Sequence, residues 1–533
     1  MRQPIMKVRR VLSFIPSFPA ASTALAQTPL PVPETAQPRC LDDSKGMACP
    51  APGAVLHGHD APHDGSNLQY PRSTSIRGAD ESIGGKTMKN IKISLWSILI
   101  GLTLLWALTN ADLPDSLTFI AVRNLLVQYS GVLSIGAMSV AMILATRAKW
   151  LESWLDGLDK SYRLHKWLGI AALVTSVLHW VAANGPKWMV GLGLMERRSR
   201  SKPPAGEVDL GAIQTFFNSQ RELAETIGEW AFYAAVVLIA IALIKRFPYK
   251  FFVTTHTLIA IAYLVLVFHG MVLMRFDAWL QPVGMVTLLL MIGGVVSAVL
   301  ALTRQIGRSR RVSGTIEAVR TFPAMGVTEI HIQLDDGWKG HDGGQFAFVS
   351  FDRREGKHPF TLASAWDPAT RKLMIISKGL GDYTDILPKR IKAGDAVTVE
   401  GPYGRFTFED GKRRQVWIGG GIGITPFIAR MKELAMTPGT KSIDLIHCVK
   451  ELEPEALELL EADANAANVN LHVLVDEKDR RLSGDRLREM FPSWKSASFW
   501  FCGPAAFGQS VRADLIAHGL ATRDFHQELF NMR

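Results

Sequence analysis

Two apolar stretches constrain this chain more than anything else in it: Ser161–Ala183, SYRLHKWLGIAALVTSVLHWVAA, and Phe251–Gly270, FFVTTHTLIAIAYLVLVFHG. Each is long enough for a helix that crosses a bilayer. Each also carries two histidines, His165 and His179 in the first, His256 and His269 in the second. At about 1.5 Å rise per residue, the two histidines of one helix lie roughly 20 Å apart along its axis. A hydrocarbon core is roughly 30 Å thick. Each helix therefore holds one imidazole towards each membrane face.

Ionisable residues inside a membrane are costly and need a reason. A lone histidine can simply bond a neighbouring helix. Two pairs with nearly matched spacing instead fit two facing helices that clamp one cofactor near each surface, the geometry of two stacked bis-histidine haems. One detail does not come free. At about 100° per residue, the fourteen-residue spacing returns to within about 40° of the same face, but the thirteen-residue spacing misses by about 140°. The second helix must bend, bulge or use two faces.

Apolar runs fall near 91–109, 119–145, 163–183, 228–245, 252–274 and 278–303. Basic residues flank the first run (Lys86, Lys89, Lys92) and recur between the second and third, between the fourth and fifth, and after the sixth (Arg304, Arg308, Arg310, Arg311). The alternate loops 110–118 and 275–277 carry one basic residue between them. By the positive-inside rule both termini are expected in the cytoplasm, with a multi-pass chain in the inner (plasma) membrane. Loop 184–227, with Arg197, Arg198, Arg200 and Lys202, is long enough to escape that rule. His165 and His256 then lie towards the inner face, and His179 and His269 towards the outer. The net charge of +10 sits largely beside apolar helices and comes with no nucleic-acid motif, so no nucleic-acid partner is expected. Cys40, Cys49, Cys448 and Cys502 form no CxxC and no zinc spacing.

The first 27 residues imitate a signal peptide, but Pro16 and Pro19 interrupt the apolar run. Residues 28–85 lack periodicity and read as disordered, His57, His59 and His63 included. A cleaved signal would start the first span outside, against the charge pattern. The working protein is expected to begin at Met88, with 1–87 a disordered or wrongly assigned N-terminal extension.

After Arg311 the pattern changes to short alternating strands, VSGTIEAV, VTEIHIQL, QFAFVSF, KLMIISK and AVTVEGPYG, which argue for a small antiparallel barrel. From Gln415 the rhythm becomes strand, glycine turn, helix, strand, an open α/β sheet. The expected architecture is multi-domain: a six-span membrane bundle over 88–305, a barrel over 308–409 and an α/β domain over 413–533. Such a pair of soluble domains suits a flavin and a nicotinamide meeting at their junction. HPFTLAS (His358–Ser364) puts a hydroxyl where it can bond a flavin ring. KGLGDYT (Lys378–Thr384) opens a helix with glycine backbone, an anion seat. GGGIGITPF (Gly419–Phe427) follows a strand and opens a helix, so its N–H groups can hold a dinucleotide's phosphates. FCGP (Phe501–Pro504) completes the set.

These motifs together resemble the ferric reductase and NADPH oxidase superfamily, from about residue 91 to the C-terminus. The resemblance implies two b-type haems, FAD, and NADPH or NADH, with electrons carried across the membrane to an acceptor outside. His165, His179, His256 and His269 match the haem ligands. His358, Pro359, Phe360, Thr361 and Ser364 match the FAD motif, Thr361 bonding the flavin and His358 its phosphates. Lys378, Gly381 and Thr384 belong to the diphosphate site. Gly419, Gly420, Gly421, Gly423, Thr425 and Pro426 line the nucleotide groove, with Cys502, Gly503 and Pro504 near the nicotinamide. Cys502 also reads as a small buried residue. Lys450 stands where a side chain would pair with the 2′-phosphate of NADPH or simply extend into water. Phe530 is the candidate ring that covers the flavin. Arg123 matches an arginine that holds a propionate or helps the acceptor; snorkelling to the interface is its plainer reading. Several NADPH oxidases carry a further histidine where this chain has Ala183. The acceptor is therefore expected to be ferric iron or a chelate. Its rivals are oxygen reduced to superoxide, and a periplasmic partner protein or quinone docked on loop 184–227.

Overall fold

The computed structural model describes residues 87–110, 118–155, 157–196, 211–244, 247, 249–352, 355–476 and 478–528. The expectations for the N-terminal extension up to residue 86, for Arg197, Arg198, Arg200 and Lys202, and for Phe530 lie outside these residues. The first half is helical: α1 (Thr87–Thr109), α2 (Phe119–Leu144), α3 (Lys149–Leu155), α4 (Leu158–Gly191), α5 (Ala212–Ser219), α6 (Arg221–Leu243), α7 (Tyr249–Leu273) and α8 (Pro282–Leu302). Among the described residues, six of these (α1, α2, α4, α6, α7 and α8) are long and apolar enough to cross a bilayer. Large apolar side chains such as Leu108, Val237 and Leu289 stand exposed on their outer faces, which water would penalise and lipid accepts. This is a multi-pass membrane protein. Helices α4 and α6 overrun the apolar windows 163–183 and 228–245, because a helix's hydrogen bonds do not stop where its hydrophobicity does. Loop 184–227 is correspondingly shorter than expected, and it contains α5.

Helix α2 is the axis of the bundle. Its buried residues include Ser130, Ser134, Gly136, Ala137, Ser139 and Ala141. Lipid tails are as apolar as leucine, so membrane helices associate by close packing of small residues and by hydrogen bonds between helices. Both occur here. Ser134 and Ser176 of α4 share a 2.5 Å hydrogen bond, and Ser139 and Tyr263 of α7 share one of 2.8 Å. Gly294 of α8 lies against the Tyr263 ring, and a Cβ there would overlap the phenol hydroxyl.

The second half begins with β1 (Arg311–Phe322), β2 (Val327–Leu334), β3 (Phe346–Ser350), β4 (His358–Thr361), β5 (Lys372–Lys378) and β6 (Ala396–Tyr403), with α9 (Asp382–Arg390) after β5. They pair antiparallel in the order β4-β3-β6-β1-β2-β5. The expected barrel is corrected here, since the ladder stays open. The edge strands β4 and β5 approach through one isolated bridge, Leu362–Ile375. Strand β4 has just four residues, and all four pair with β3.

A five-stranded parallel sheet follows, built from β7 (Arg414–Gly420), β8 (Ser442–Val449), β9 (Asn470–Val475), β10 (Ser498–Cys502) and β11 (Phe525–Gln527), in the order β11-β10-β7-β8-β9. Helices α10 (Thr425–Met436), α11 (Pro454–Ala466), α12 (Gly484–Met490) and α13 (Ala505–Ala517) accompany it. Strand side chains alternate between faces. Val416 and Ile418 enter one buried cluster with Phe499 and Leu515, while Trp417 between them enters another with Phe427 and Leu445. Both faces are covered, as a parallel sheet requires. The strand order reverses between β7 and β10, where an open α/β sheet binds its ligands.

The bundle meets the antiparallel sheet at the α2–α3 turn. Glu152 of α3 accepts the Gly404 N–H at 2.7 Å and lies 3.6 Å from Arg310. Glu400 of β6 is fully buried. It pairs with Arg147 at 3.1 Å, with Arg311 at 3.7 Å and with Lys357, and accepts the Tyr403 hydroxyl at 2.9 Å. Burial alone would push its carboxyl up, but Arg147 and then Lys357 outweigh burial and hold it below the ordinary range. Leu158 and Tyr162 of α4 pack with Phe346, Phe348 and Tyr403. The guanidinium groups of Arg147 and Arg310 each lie 4.6 Å over a ring, Phe348 and Tyr403 respectively.

Replacing Gly294 with Ala should destabilise the bundle by about 1–3 kcal/mol, the usual cost of overpacking. The Gly101→Ala variant, where an added Cβ meets nothing within 4 Å, should leave stability unchanged or raise it slightly. Thermal unfolding of both proteins in the same detergent checks the pair.

Candidate functional site

Helices α4 and α7 bring the four histidines together in twos. The rings of His165 and His256 lie 5.7 Å apart between centroids, and those of His179 and His269 lie 6.2 Å apart. A metal–imidazole bond is about 2 Å long, so two imidazoles on opposite sides of one metal place their ring centres on the order of 6 Å apart. Both pairs match that spacing. Among the described residues no three His, Cys, Asp or Glu side chains gather as a site for a bare ion.

The other nitrogens of three rings are held by backbone. His165 Nδ1 donates to the Ala141 carbonyl at 2.8 Å, His179 Nδ1 to Val127 at 2.9 Å and His269 Nδ1 to Ala224 at 2.8 Å. A carbonyl can only accept, so Nδ1 carries the proton and Nε2 keeps its lone pair for a metal. The fourth ring, His256, stacks on Phe252 at 5.1 Å, and its buried Nδ1 has no hydrogen-bond partner. Helix α7 runs unbroken from Tyr249 to Leu273. The two rings of this thirteen-residue pair have different neighbours: His269 turns to Ala224 of α6, while His256 lies along its own helix on Phe252.

Several residues that sequence reasoning passed over make this possible. Gly228 of α6 sits against His269, and a Cβ there would overlap the ring. Gly131 of α2 would bring a Cβ to 3.4 Å from His179. Neither glycine stands in a recognisable motif, and backbone carbonyls carry no sequence signal at all. The His179–His269 pair lines a cavity of about 800 Å³, together with Arg123, Gly228 and Thr287.

Arg123 has a specific task there. Pro186 lies inside α4 and cannot donate to the carbonyl four residues back, Ala182. Arg123 Nε donates to Ala182 O at 3.1 Å and Nη2 donates to Ala183 O at 2.8 Å, while Nη1 reaches Asn124 Oδ1 at 2.9 Å. The side chain lines the cavity and braces the outer turn of α4 at once.

In the soluble half, His358, Pro359, Phe360 and Thr361 form β4, paired with β3. The His358 ring stacks flat on Tyr383 at 4.0 Å, joining the HPFT and GDYT segments. Burial pushes His358 down and Tyr383 up to about 12. Thr384 Oγ1 accepts the Leu380 N–H at 3.0 Å and donates to Gly381 O at 3.2 Å, fixing the loop that opens α9. Ser364 Oγ accepts the Met374 N–H at 3.0 Å, and the Ser364 carbonyl accepts from His341 at 2.9 Å. Ser364 thus shapes the strand end, and Lys378 closes β5.

At the switch point the glycine turns pack on each other. Gly421 has φ +56°, and Gly423 lies against the Cys502 carbonyl, which leaves no room for a Cβ. Gly420 and Gly503 touch backbone to backbone, with Pro504 beside them. Thr425 Oγ1 donates to Ile422 O at 2.8 Å, and Pro426 sits in the first turn of α10. Gly419 pairs in register with Cys502. Burial pushes the Cys502 thiol far up, so it is a buried thiol and not a thiolate. Lys450 follows β8 and is exposed. Glu528, which sequence reasoning did not single out, is buried after β11, and burial raises its carboxyl well above the usual range.

Residues 130–267 match the family model described as ferric reductase like transmembrane component. The chain is 26% identical over 162 residues to the flavohemoprotein of Oceanobacillus iheyensis, covering 28% of this chain and 40% of that one. It is 29% identical over 168 residues to the flavohemoprotein of Bordetella pertussis, covering 28% and 41%. The chain thus spans less than half the length of these curated relatives. Among solved structures, a flavohemoglobin from Malassezia yamatoensis with bound FAD and heme is 16% identical, with a TM-score of 0.39 over 84% of this chain and 100% of that one. The flavohem-like FAD/NAD binding domain of nitric oxide dioxygenase from Vibrio cholerae is 21% identical, with a TM-score of 0.35 over 41% and 98%. Residues 130–267 are thus similar to a ferric-reductase-like transmembrane component, and about a quarter of the chain is similar to part of the flavohemoproteins.

Proposed function

We propose that the protein is a transmembrane NAD(P)H oxidoreductase in which His165 with His256, and His179 with His269, each hold a b-type haem. Electrons enter from NAD(P)H and FAD in the soluble half and leave on the opposite side of the membrane, to ferric iron or a ferric chelate. The observation that carries this reading is the pairing of the rings at 5.7 and 6.2 Å across two spanning helices. The residues fit the groups. Three imidazoles present Nε2 because Nδ1 is bonded, and two glycines clear space beside the outer pair.

When bound, the flavin would turn a two-electron hydride into single electrons and the haems would carry them across. What the chain supplies is placement. His358 and Tyr383, with the Gly381–Thr384 loop, form a seat for the flavin's phosphates. The Gly419–Gly423 turn and the start of α10 offer N–H groups to the nucleotide. Arg123 keeps the helix that carries His179 intact around Pro186. No acid–base chemistry is required on the acceptor, so recognition reduces to access and charge. The outer cavity is lined by Arg123, Lys187, Arg221 and Arg275 against Glu225 and Glu229. That net positive lining suits an anionic chelate.

The reading is tested by NADPH oxidation of the haem-loaded protein with and without oxygen and ferric citrate. Turnover without oxygen that depends on ferric citrate is expected. Turnover that needs oxygen and yields superoxide in proportion would make the protein an oxidase instead. Replacing His179 with Ala should remove one haem per chain by pyridine haemochrome assay while NADPH still bleaches the flavin. Gly228→Val changes no ligand, yet it should lower outer-haem occupancy severalfold by forcing His269 off the Ala224 carbonyl. Full haem content in the Gly228 variant would show that this carbonyl contact does not set the site.

A further inference from the structure

We infer that Glu400 and Arg147 form a latch that positions the flavin strand against the His165–His256 end of the bundle, and so govern the electron step between the two halves. The inference rests on the function proposed above, but its evidence is the junction itself. Three routes converge on the one buried carboxylate. Arg147 comes from the α2–α3 turn of the bundle, and Arg311 opens β1 where the chain leaves the bundle. Lys357 immediately precedes His358 of the flavin strand β4. Gly307, in the connection from α8 to β1, has φ +73° and lies so close to the Glu400 carboxylate that a Cβ would collide with it.

The residues that flank the latch reach both candidate sites. Thr361 of β4 pairs in register with Phe346 of β3. Phe346 packs in one cluster with Leu158 and Tyr162 of α4, and Tyr162 stands one helical turn before His165. A packed route from the flavin strand to the inner histidine therefore passes through this seam. Arg147 is held in the left-handed region, φ +56°, at the end of a helix where glycine is the usual choice. An arginine persists there at some cost in backbone energy, and its contacts with Glu400 and Phe348 are what offset that cost. Glu152 supplies the reciprocal bond, from the bundle to the Gly404 N–H. The latch is thus two-sided, with one carboxylate contributed by each half.

Glu400→Ala would leave three cations facing a buried gap and is a poor first test. Arg147→Gly is the better variant, because glycine accepts φ +56° without strain and only the guanidinium is lost. Two readouts are made on the full chain in nanodiscs. In stopped flow, NADPH should reduce the flavin of Arg147→Gly at the parent rate, while haem reduction falls about tenfold or more. Arg147→Lys should recover part of that loss. In hydrogen–deuterium exchange on the same protein, α3 and β6 should exchange faster than in the parent while β7 and β8 stay unchanged. Parent-like haem reduction or parent-like exchange at α3 and β6 in Arg147→Gly would overturn the inference. If the parent itself binds no haem, the function proposed above fails, and the exchange arm still decides whether the latch exists.

Discussion

An imidazole offered to a metal inside a bilayer has to be held by its other nitrogen, because no water is present to do it. In this protein backbone carbonyls of neighbouring helices take that part: Ala141 and Val127 of α2 for α4, and Ala224 of α6 for α7. Much of the bundle follows from those three bonds. Helix α2 must be small and close-packed for its carbonyls to be reached from α4, and its serines, glycines and alanines make it so. Helix α6 must carry glycine at position 228 for His269 to lie flat against it. His256 has no carbonyl partner and rests on Phe252 instead, so the two pairs differ in how firmly they are oriented.

A second constraint acts at the membrane surface, where a lipid-embedded bundle is joined to a water-exposed module. Buried charge is tolerated when it is fully compensated, and Glu400 meets that condition with three cations and a tyrosine hydroxyl. An apolar seam of this size alone would hold the halves together but leave their register loose. Directed charge pairs and cation–π contacts fix one orientation. Specificity of docking, more than affinity, is what the junction supplies.

Arg123 and Cys502 show how tertiary contacts redistribute roles. Arg123 reads from sequence as a group for a propionate or an acceptor, or as a side chain snorkelling to the interface, and in the structure its guanidinium also bonds the Ala182 carbonyl that Pro186 leaves unpaired and the Ala183 carbonyl beside it. Cys502 reads equally as a nicotinamide neighbour or a small buried residue, and its burial behind the Gly423 turn gives it packing to do whatever else it touches. The glycines of GGGIG serve two ends for the same reason. In the proposed function they free N–H groups for an anion, and in the fold they let the β7 and β10 turns come into backbone contact.

Sequence alone determined what depends on pattern along the chain. Six apolar runs, two helices that each hold one histidine towards each membrane face, the change from alternating strands to strand–turn–helix, and the glycine turns are all one-dimensional signals, and elements of those types stand at those places. It left open which way α7 satisfies thirteen residues, it expected a closed barrel where the sheet stays open, it ended α4 too early and it began α6 too late. It gave no hint of the Ala141, Val127 and Ala224 carbonyls, of Gly228, or of the meeting of Arg147 with Glu400, more than two hundred and fifty residues away. Only the tertiary structure decided these, because every backbone carbonyl looks alike in a sequence. Which of them faces an imidazole is set by how helices lean on one another, and which charges meet is set by how two folded halves dock.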